Sequence, residues 1–406
     1  MKVLQINCVY GKGSTGKLTE YLHNYYKSVG IESVIIYGRG EKTSEPNVYK
    51  VAKERPSKIR NLLSRYSGNV YGSGYLPYKK VVDIIKKEKP DVVHLQCVNG
   101  HFINLYKLLN YLKENNINTV LTLHAEFMYT GNCGYAFGCK KFIDEKCRNC
   151  PNVRFAINAR NKKAPEKNFQ KMYDALSGFD NLRIVGVSDW VSERAKMSPI
   201  TSSKNIKTIN NGVDVETFNC TENGVKLFAD IKAKGEKIIL YVTPYFEDEN
   251  KGGKYLLELA GSMKELPVHF IVIGNHSENY SLNNITFVGR VESQKELAEY
   301  YRSADVTLIT SKQETFCMVV AESLSCGTPV VGFKAGGPES IAIPEFSDFV
   351  NYGDIEGLKT VILNMFSKKI DKTVVSEKAC ALYDSSVMAE KYIAIYKEYF
   401  SSNGKN

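Results

Sequence analysis

Nowhere do 18 apolar residues follow one another in the 406-residue sequence, so no membrane-spanning helix is expected. The first apolar run, MKVLQINCVY, is short and leads into Gly-rich turn residues without a small-residue cleavage site. No secretory leader is expected, the chain is placed in the cytoplasm, and its ten cysteines are expected to be mostly reduced. There is no Asp-x-Asp pair, so nothing in the sequence requires a divalent ion for catalysis. No nucleic-acid recognition motif is present, and no lysine stands in a Schiff-base context that would support pyridoxal chemistry. With 43% hydrophobic and 24% charged residues, the composition is that of an ordinary globular protein, long enough for two or three domains.

Acid is scarce relative to base. The net charge is +10, and Lys140–Lys171 holds ten Lys or Arg against three Asp or Glu. Lys53, Arg55, Lys58, Arg60 and Arg65 form a second cluster. Such stretches suit an anionic surface, either nucleic acid or the acidic inner leaflet of a membrane, or they are solvated faces without a partner. YSGNVYGSGYLPYKK (Tyr66–Lys80) mixes aromatic with basic residues, as a membrane-facing segment or a locally packed loop would.

Directly after the first apolar run, GKGSTGKL (Gly11–Leu18) nearly matches the phosphate-cradling loop of nucleotide hydrolases. Leu18 occupies the position where a hydroxyl should hold Mg²⁺. The candidate partner strand DVVHLQC (Asp91–Cys97) ends without the supporting Asp, which disfavours a P-loop ATPase. What remains is a Gly-rich strand-to-helix turn. Its free N–H groups and helix dipole favour an anion, or its glycines serve the backbone alone.

Short β-branched runs alternate with amphipathic stretches throughout. KVLQINCV, SVIIYG, DVVHLQC, TVLTLHA and RIVGVS read as strands, with helices such as INLYKLLNYLKENN between them. After KTINNGVDVETFN the rhythm restarts with KIILYVTP, VHFIVIGN, ITFVGRV, DVTLITS and TPVVGFKAGG, the polar linker NCTENG (Asn219–Gly224) falling near the break. The pattern is that of two α/β, Rossmann-like domains with parallel sheets, facing one another across a cleft. The expected divisions are an acceptor-side domain (1–207, with a basic insertion at 125–172), a nucleotide-binding domain (208–384), and a last helix (385–406) returning to the first.

The densest chemistry lies in SKQETFCMVVAESLSCGTPVVGFKAGGPES, residues 311–340. Glu314 falls in the loop before a helix that begins near Phe316, and Glu322 falls on it. A carboxylate accepting two hydroxyl hydrogen bonds reads a ribose or sugar diol, whereas an exposed helical Glu would do nothing. AGGPE supplies another turn whose backbone can approach an anion.

Together these features resemble the retaining family-4 glycosyltransferases of GT-B architecture. The resemblance rests on the Glu314-x7-Glu322 pair followed by CGTPVV and GGPES, on NNGVD, Lys251-Gly252 and FVGRV, and on the Gly-rich first loop with a His ending the fourth strand. HAEFMYTGNCGYAFGCKKF…CRNCP further resembles a bacterial subgroup building capsular, exopolysaccharide or colanic-acid-like polymers. The resemblance implies a hexosyltransferase moving sugar from a nucleotide-sugar, with UDP favoured, to a carbohydrate or lipid-linked acceptor. It assigns His124, Lys251 and Glu314 to catalysis. Donor binding falls to Gly13, Gly16, Asn211, Gly212, Arg290, Val291, Phe316, Cys317 and Glu322 besides Lys251 and Glu314. Peripheral contact with the anionic inner membrane is compatible with this reading; nucleic acid is not. A GT-B sugar-nucleotide epimerase is the nearer alternative and a P-loop-like nucleotide binder the remoter one.

One departure stands out. Members of the family carry an Arg several residues before the Lys, but YVTPYFEDENKGG has none and holds Glu247, Asp248 and Glu249 instead. Either another cation, Lys17 or Arg290, assists Lys251, or the leaving group is stabilised more weakly than usual, or activity has been lost, which the intact Glu pair and Lys251 disfavour. Cys133, Cys139, Cys147 and Cys150, spaced C-x5-C-x7-C-x2-C, could close a structural zinc site, or they are unligated thiols or a redox pair. No cofactor is expected for catalysis. His94 and His101 read as ordinary core or surface histidines.

Overall fold

The computed structural model describes residues 1–220, 228–278, 280 and 282–401, and the chain divides into two compact units, Met1–Asn210 with Met388–Asn406 and Asn211–Val387. Residues 221–224 of the linker lie outside the described residues.

The first unit holds strands β1 (Lys2–Asn7), β2 (Glu32–Tyr37), β3 (Val48–Lys50), β4 (Val92–Leu95), β5 (Thr119–Leu123), β6 (Leu182–Gly186) and β7 (Asn205–Thr208). They form one parallel sheet in the order β3-β2-β1-β4-β5-β6-β7. Because helices cover both faces, the central strands are apolar almost throughout, and five of the six β1 residues are buried. The main helices are α1 (Gly13–Ser28), α2 (Glu54–Ser67), α3 (Tyr75–Glu88), α4 (Leu105–Glu114), α5 (Ala164–Leu176) and α6 (Asp189–Met197). In α4 the leucines at 105, 108, 109 and 112 are buried, and the Asn104 side chain caps the start by accepting from the Lys107 N–H. The C-terminal helix, Ser385–Ser401, packs Met388, Tyr392, Tyr396 and Tyr399 onto Leu18, Leu22 and Tyr26 of α1 and onto Val3, Val92 and Val120 of the sheet.

The second unit repeats the plan with β8 (Lys237–Tyr245), β9 (Val268–Asn275), β10 (Ile285–Gly289), β11 (Val306–Ile309), β12 (Val330–Phe333) and β13 (Ser347–Val350). Their parallel order is β10-β9-β8-β11-β12-β13. The helices are α7 (Gly253–Ser262), α8 (Gln294–Ser303), α9 (Met318–Ser325), α10 (Gly337–Ile341), α11 (Ile355–Ser367) and α12 (Lys372–Tyr383). In each sheet the chain leaves its first strand to one side and later returns to the other. This creates a crevice at the carboxyl ends of β1 and β4, and of β8 and β11, where open α/β sheets bind ligands. Among the described residues, no helix is long and apolar enough to cross a membrane.

Candidate active site

In the second unit, three loops after adjacent strands converge. Lys251 follows β8, Glu314 follows β11, and Ala335–Gly337 follows β12. Tyr241 Oη and Thr310 Oγ1 donate to the Lys251 carbonyl at 2.7 and 2.9 Å, fixing the backbone that carries the ammonium. Gly252 is obligatory there: its φ is +75°, and a Cβ would stand 2.3 Å from the Thr310 carbonyl oxygen. Asn250 ties the β8 loop to the β11 loop, its carbonyl accepting from the Lys312 N–H and its side chain bonding both backbone groups of Gln313. Glu314 is held in turn by its N–H to the Ala335 carbonyl and its carbonyl to the Gly337 N–H, both 2.9 Å. The Glu339 carboxylate accepts from the N–H groups of Ala335 and Gly336, closing the glycine turn.

On this scaffold the Lys251 ammonium donates to Glu314 Oε1 at 2.6 Å, with side-chain exposures of 22% and 10%. An ammonium has three donors and a carboxylate several acceptor sites, so this bond occupies one of each. Glu322, on α9, accepts from the Tyr301 hydroxyl at 3.0 Å. The three charges share one neighbour. Burial raises the Cys317 thiol to about 12, Glu314 and Glu322 push the same way, and Lys251 pulls it down. Cys317 precedes α9 with φ at +76°, a left-handed conformation that a non-glycine residue keeps only when its surroundings enforce it.

The acidic loop in place of the family Arg is consumed locally. Glu247 accepts from the Ser277 and Glu278 N–H groups and the Tyr280 hydroxyl. Burial pushes its carboxyl up, but those bonds outweigh it and hold the group below the usual carboxylate range. Asp248 closes the turn, its carbonyl accepting from the Lys251 N–H and its carboxylate from the Asn250 N–H.

Arg290, Val291, Phe316, Asn211 and Gly212, also named for the donor, belong to the second unit as well. Arg290, 64% exposed, stands 3.5 Å from Glu292 in the loop after β10, with Val291 half-buried beside it. Phe316 is buried with its ring edge-on to Tyr383. Asn211 is buried, and Gly212 packs so closely that a Cβ would lie 2.4 Å from Ser385 Cα. Beside Gly212, the Val213 N–H donates to the Tyr383 carbonyl and the Ser385 N–H to the Val213 carbonyl, bridging Val213 to Asp384.

In the first unit, Gly11 and Lys12 precede α1, and Gly13, Gly16 and Lys17 already lie in its first turns. Gly13 takes φ +65°, Gly16 is buried, and Lys17 is exposed. A Cβ on Gly11 would lie 3.3 Å from the Glu20 carboxylate, so this turn faces a negative charge of its own. His124 ends β5, and its Nε2 bonds Gln96 Oε1 at 2.9 Å, which makes Nε2 the protonated nitrogen. Burial lowers its pKa to about 4, so the ring is neutral at pH 7. Gln96 also bonds Gln5 and His94, and His94 bonds Thr122 and Tyr396. The expectation of a satisfied core histidine therefore holds for His94.

Sequence reasoning missed Tyr301, Asn250 and Gln96, whose roles need tertiary contacts, and it missed Glu126. That carboxylate, fully buried, accepts from Arg194 Nε at 2.7 Å, from Tyr129 and from the Ala136 N–H, and Arg194 Nη2 reaches the Cys139 carbonyl. The ion pair thus anchors the cysteine insertion. Cys133, Cys139, Cys147 and Cys150 line one cavity of about 10 Å³ with Thr130, Lys141 and Phe142. Burial pushes the Cys147 thiol up to about 12, and that of Cys133 well above its usual range. Among the described residues, no three or more His, Cys, Asp or Glu side chains are gathered into a metal-holding group.

Comparison with known proteins identifies the family. The model of the family described as Glycosyltransferase Family 4 matches residues 15–217, half of the chain, and that of Glycosyl transferases group 1 matches 226–379. The putative colanic acid biosynthesis glycosyl transferase WcaC of Escherichia coli is 20% identical over 98% of this chain and all of its own length. A 41.2 kDa protein in the cps region of Klebsiella pneumoniae is 29% identical, covering 86% of this chain and 90% of its own. Among solved structures, sucrose-phosphate synthase from Thermosynechococcus elongatus superposes with a TM-score of 0.67 at 17% identity, covering 99% of both chains. Anabaena HepE in complex with UDP and glucose gives 0.64 at 14%, covering 98% of this chain and all of its own. With two parallel Rossmann-like units and family matches in both, the chain belongs to the family-4 glycosyltransferases and has the GT-B fold.

Proposed function

We propose that the chain transfers a hexose from a nucleotide-sugar, of the UDP kind, to a polysaccharide or lipid-linked oligosaccharide precursor, with retention of the anomeric configuration and without a catalytic metal. The observation that carries this is the Lys251–Glu314 pair, 2.6 Å apart at the carboxyl ends of β8 and β11. As the bond from the sugar to the diphosphate breaks, negative charge grows on the leaving group, and a preorganised ammonium stabilises it where it develops. Glu314 takes hydroxyls of the sugar, Glu322 those of the ribose, with its orientation set by Tyr301. Phe316, Cys317, Asn211 and Gly212 complete the donor site, Arg290 and Val291 meet the base, and Gly13 and Gly16 approach the diphosphate or acceptor. Neutral His124 hydrogen-bonds near the reacting carbon, and the acceptor hydroxyl attacks from the face the diphosphate leaves.

The relatives support the substrate class: one carries colanic acid biosynthesis in its name, and HepE is seen with UDP and glucose. The test is release of nucleoside diphosphate from a panel of UDP-, GDP- and dTDP-sugars. Release that requires an acceptor supports transfer; release from donor alone indicates the epimerase or a hydrolase and overturns it. The best donor, at about a hundred times its dissociation constant, should add about 2.7 kcal/mol of stability.

A structural zinc ion on Cys133, Cys139, Cys147 and Cys150 is a separate proposal of ours. Their shared cavity supports it, and the thiols must turn inward as thiolates to close the shell. Elemental analysis after metal-free preparation should give about one zinc per chain; less than about a tenth ends the idea.

A further inference from the structure

Helix α2 is amphipathic in the wrong sense for a helix of a closed core. Its buried residues are Ser57 and Ser64, whereas Ile59, Leu62, Leu63 and Tyr66 are 57%, 52%, 60% and 58% exposed. Those four lie at i, i+3, i+4 and i+7 and form one continuous stripe. The inward face is fastened by polar bonds: Arg60 donates to the His101 carbonyl and to Ser57 Oγ, and Asn168 donates to the Gly68 carbonyl. At the start of α3, nine and ten positions beyond Tyr66, Tyr75 and Leu76 are 49% and 72% exposed. Six of the sixteen large apolar side chains exposed among the described residues therefore fall between positions 59 and 76. Scattered exposed leucines need no explanation, but a contiguous patch does.

The rim of this patch is cationic. Arg55, Lys58 and Arg65 are exposed on α2, whose one acid, Glu54, is turned to Arg39. Arg65, Arg154 and Arg160 line an open cavity of about 280 Å³ at the end of the helix. Arg160 lies 4.9 Å over the Tyr66 ring, and Lys79 and Lys107 lie 5.0 and 4.6 Å from that of Tyr75. A second copy of this chain would bring the same cations face to face, which argues against self-association through the patch. An anionic bilayer satisfies both requirements, accepting the apolar stripe at the acyl boundary and the cations among its phosphates.

We propose that α2 and the first turn of α3 form the surface by which the protein docks on an anionic membrane, with a phospholipid phosphate entering the Arg65–Arg154–Arg160 cavity. This goes beyond the transfer reaction and stands whether or not that reading holds.

The experiment is co-sedimentation of the full chain with phosphatidylcholine vesicles, with and without phosphatidylglycerol, in about 0.1 M NaCl. Wild type should partition at least about tenfold more strongly onto the anionic vesicles, since each basic residue near such a surface contributes roughly fivefold. L62Q/L63Q should lose about tenfold or more of that binding. Because both side chains are exposed, its thermal midpoint should stay within about 2 °C of wild type. R65Q/R154Q/R160Q should bind more weakly and with a shallower salt dependence. Equal binding by wild type and L62Q/L63Q, or no preference for anionic vesicles, overturns the proposal. So does a dimer that L62Q/L63Q abolishes without vesicle binding, which assigns the stripe to a second copy. Stabilisation by inorganic phosphate without vesicle binding likewise overturns it, leaving a site for free anions.

Discussion

At the switch point of the second unit, Lys251 and Glu314 stand as an ion pair 2.6 Å apart, still reachable from solvent, on loops clamped by backbone bonds. At the corresponding point of the first unit, His124, Gln96 and His94 form a chain of neutral groups. It is tied through Tyr396 and Thr122 to the C-terminal helix. The sheets share their topology, but one presents separated charge and the other hides uncharged donors and acceptors. In the proposed reaction the departing negative charge would be met by the former, while the neutral His124 ring would add no charge of its own.

The contrast can be broken from either side. The largest effect should follow from Lys251→Ala or Glu314→Ala, each lowering transfer about a thousandfold, roughly 4 kcal/mol, with the native near-ultraviolet circular dichroism preserved. Turnover within tenfold of wild type in either variant would reject their assignment. In the first unit, Glu126→Ala should remove about 3–5 kcal/mol from the urea unfolding free energy, since it strands the buried Arg194 guanidinium; a loss under about 1 kcal/mol would show the pair to be incidental.

Acid should also weaken the neutral network. Burial holds His94 at about 3, against roughly 6.5 in the unfolded chain. The unfolded state therefore binds the proton first. His94's contribution is complete above about pH 6.5 and is lost as pH falls toward 3, amounting to about 2 kcal/mol by pH 5. Urea titrations at the two pH values measure this, and flat stability between them would contradict it. The smallest effect is expected at Tyr301→Phe, which removes one hydroxyl from Glu322, about 1 kcal/mol, and should raise the donor KM about fivefold while sparing kcat.

The central strands were legible because both their faces are covered, which writes them as apolar runs such as VHFIVIGN. The three that escaped notice, β3, β7 and β13, are sheet edges with polar, half-exposed sequences, VYK, NIKT and SDFV. Helix α2 escaped for a related reason: its apolar stripe faces solvent, so a core pattern was absent. Tyr66–Lys80, read as a loop, has its two ends in α2 and α3. Of the site, the residues with motif spacing around Lys251 and Glu314 could be named in advance. Tyr301, Asn250 and Gln96 could not, because each acts on a partner at least 21 positions away. The acidic loop before Lys251 suggested a weakened cation site, yet Glu247 and Asp248 are spent on backbone N–H groups.

The most direct test is calorimetric titration of wild type and Lys251→Ala with whichever of UDP, GDP and dTDP binds best. A charge-assisted bond to the diphosphate predicts affinity weaker by about ten- to a hundredfold in the variant. Equal affinity in the two proteins would mean that the diphosphate does not lie against the Lys251 ammonium.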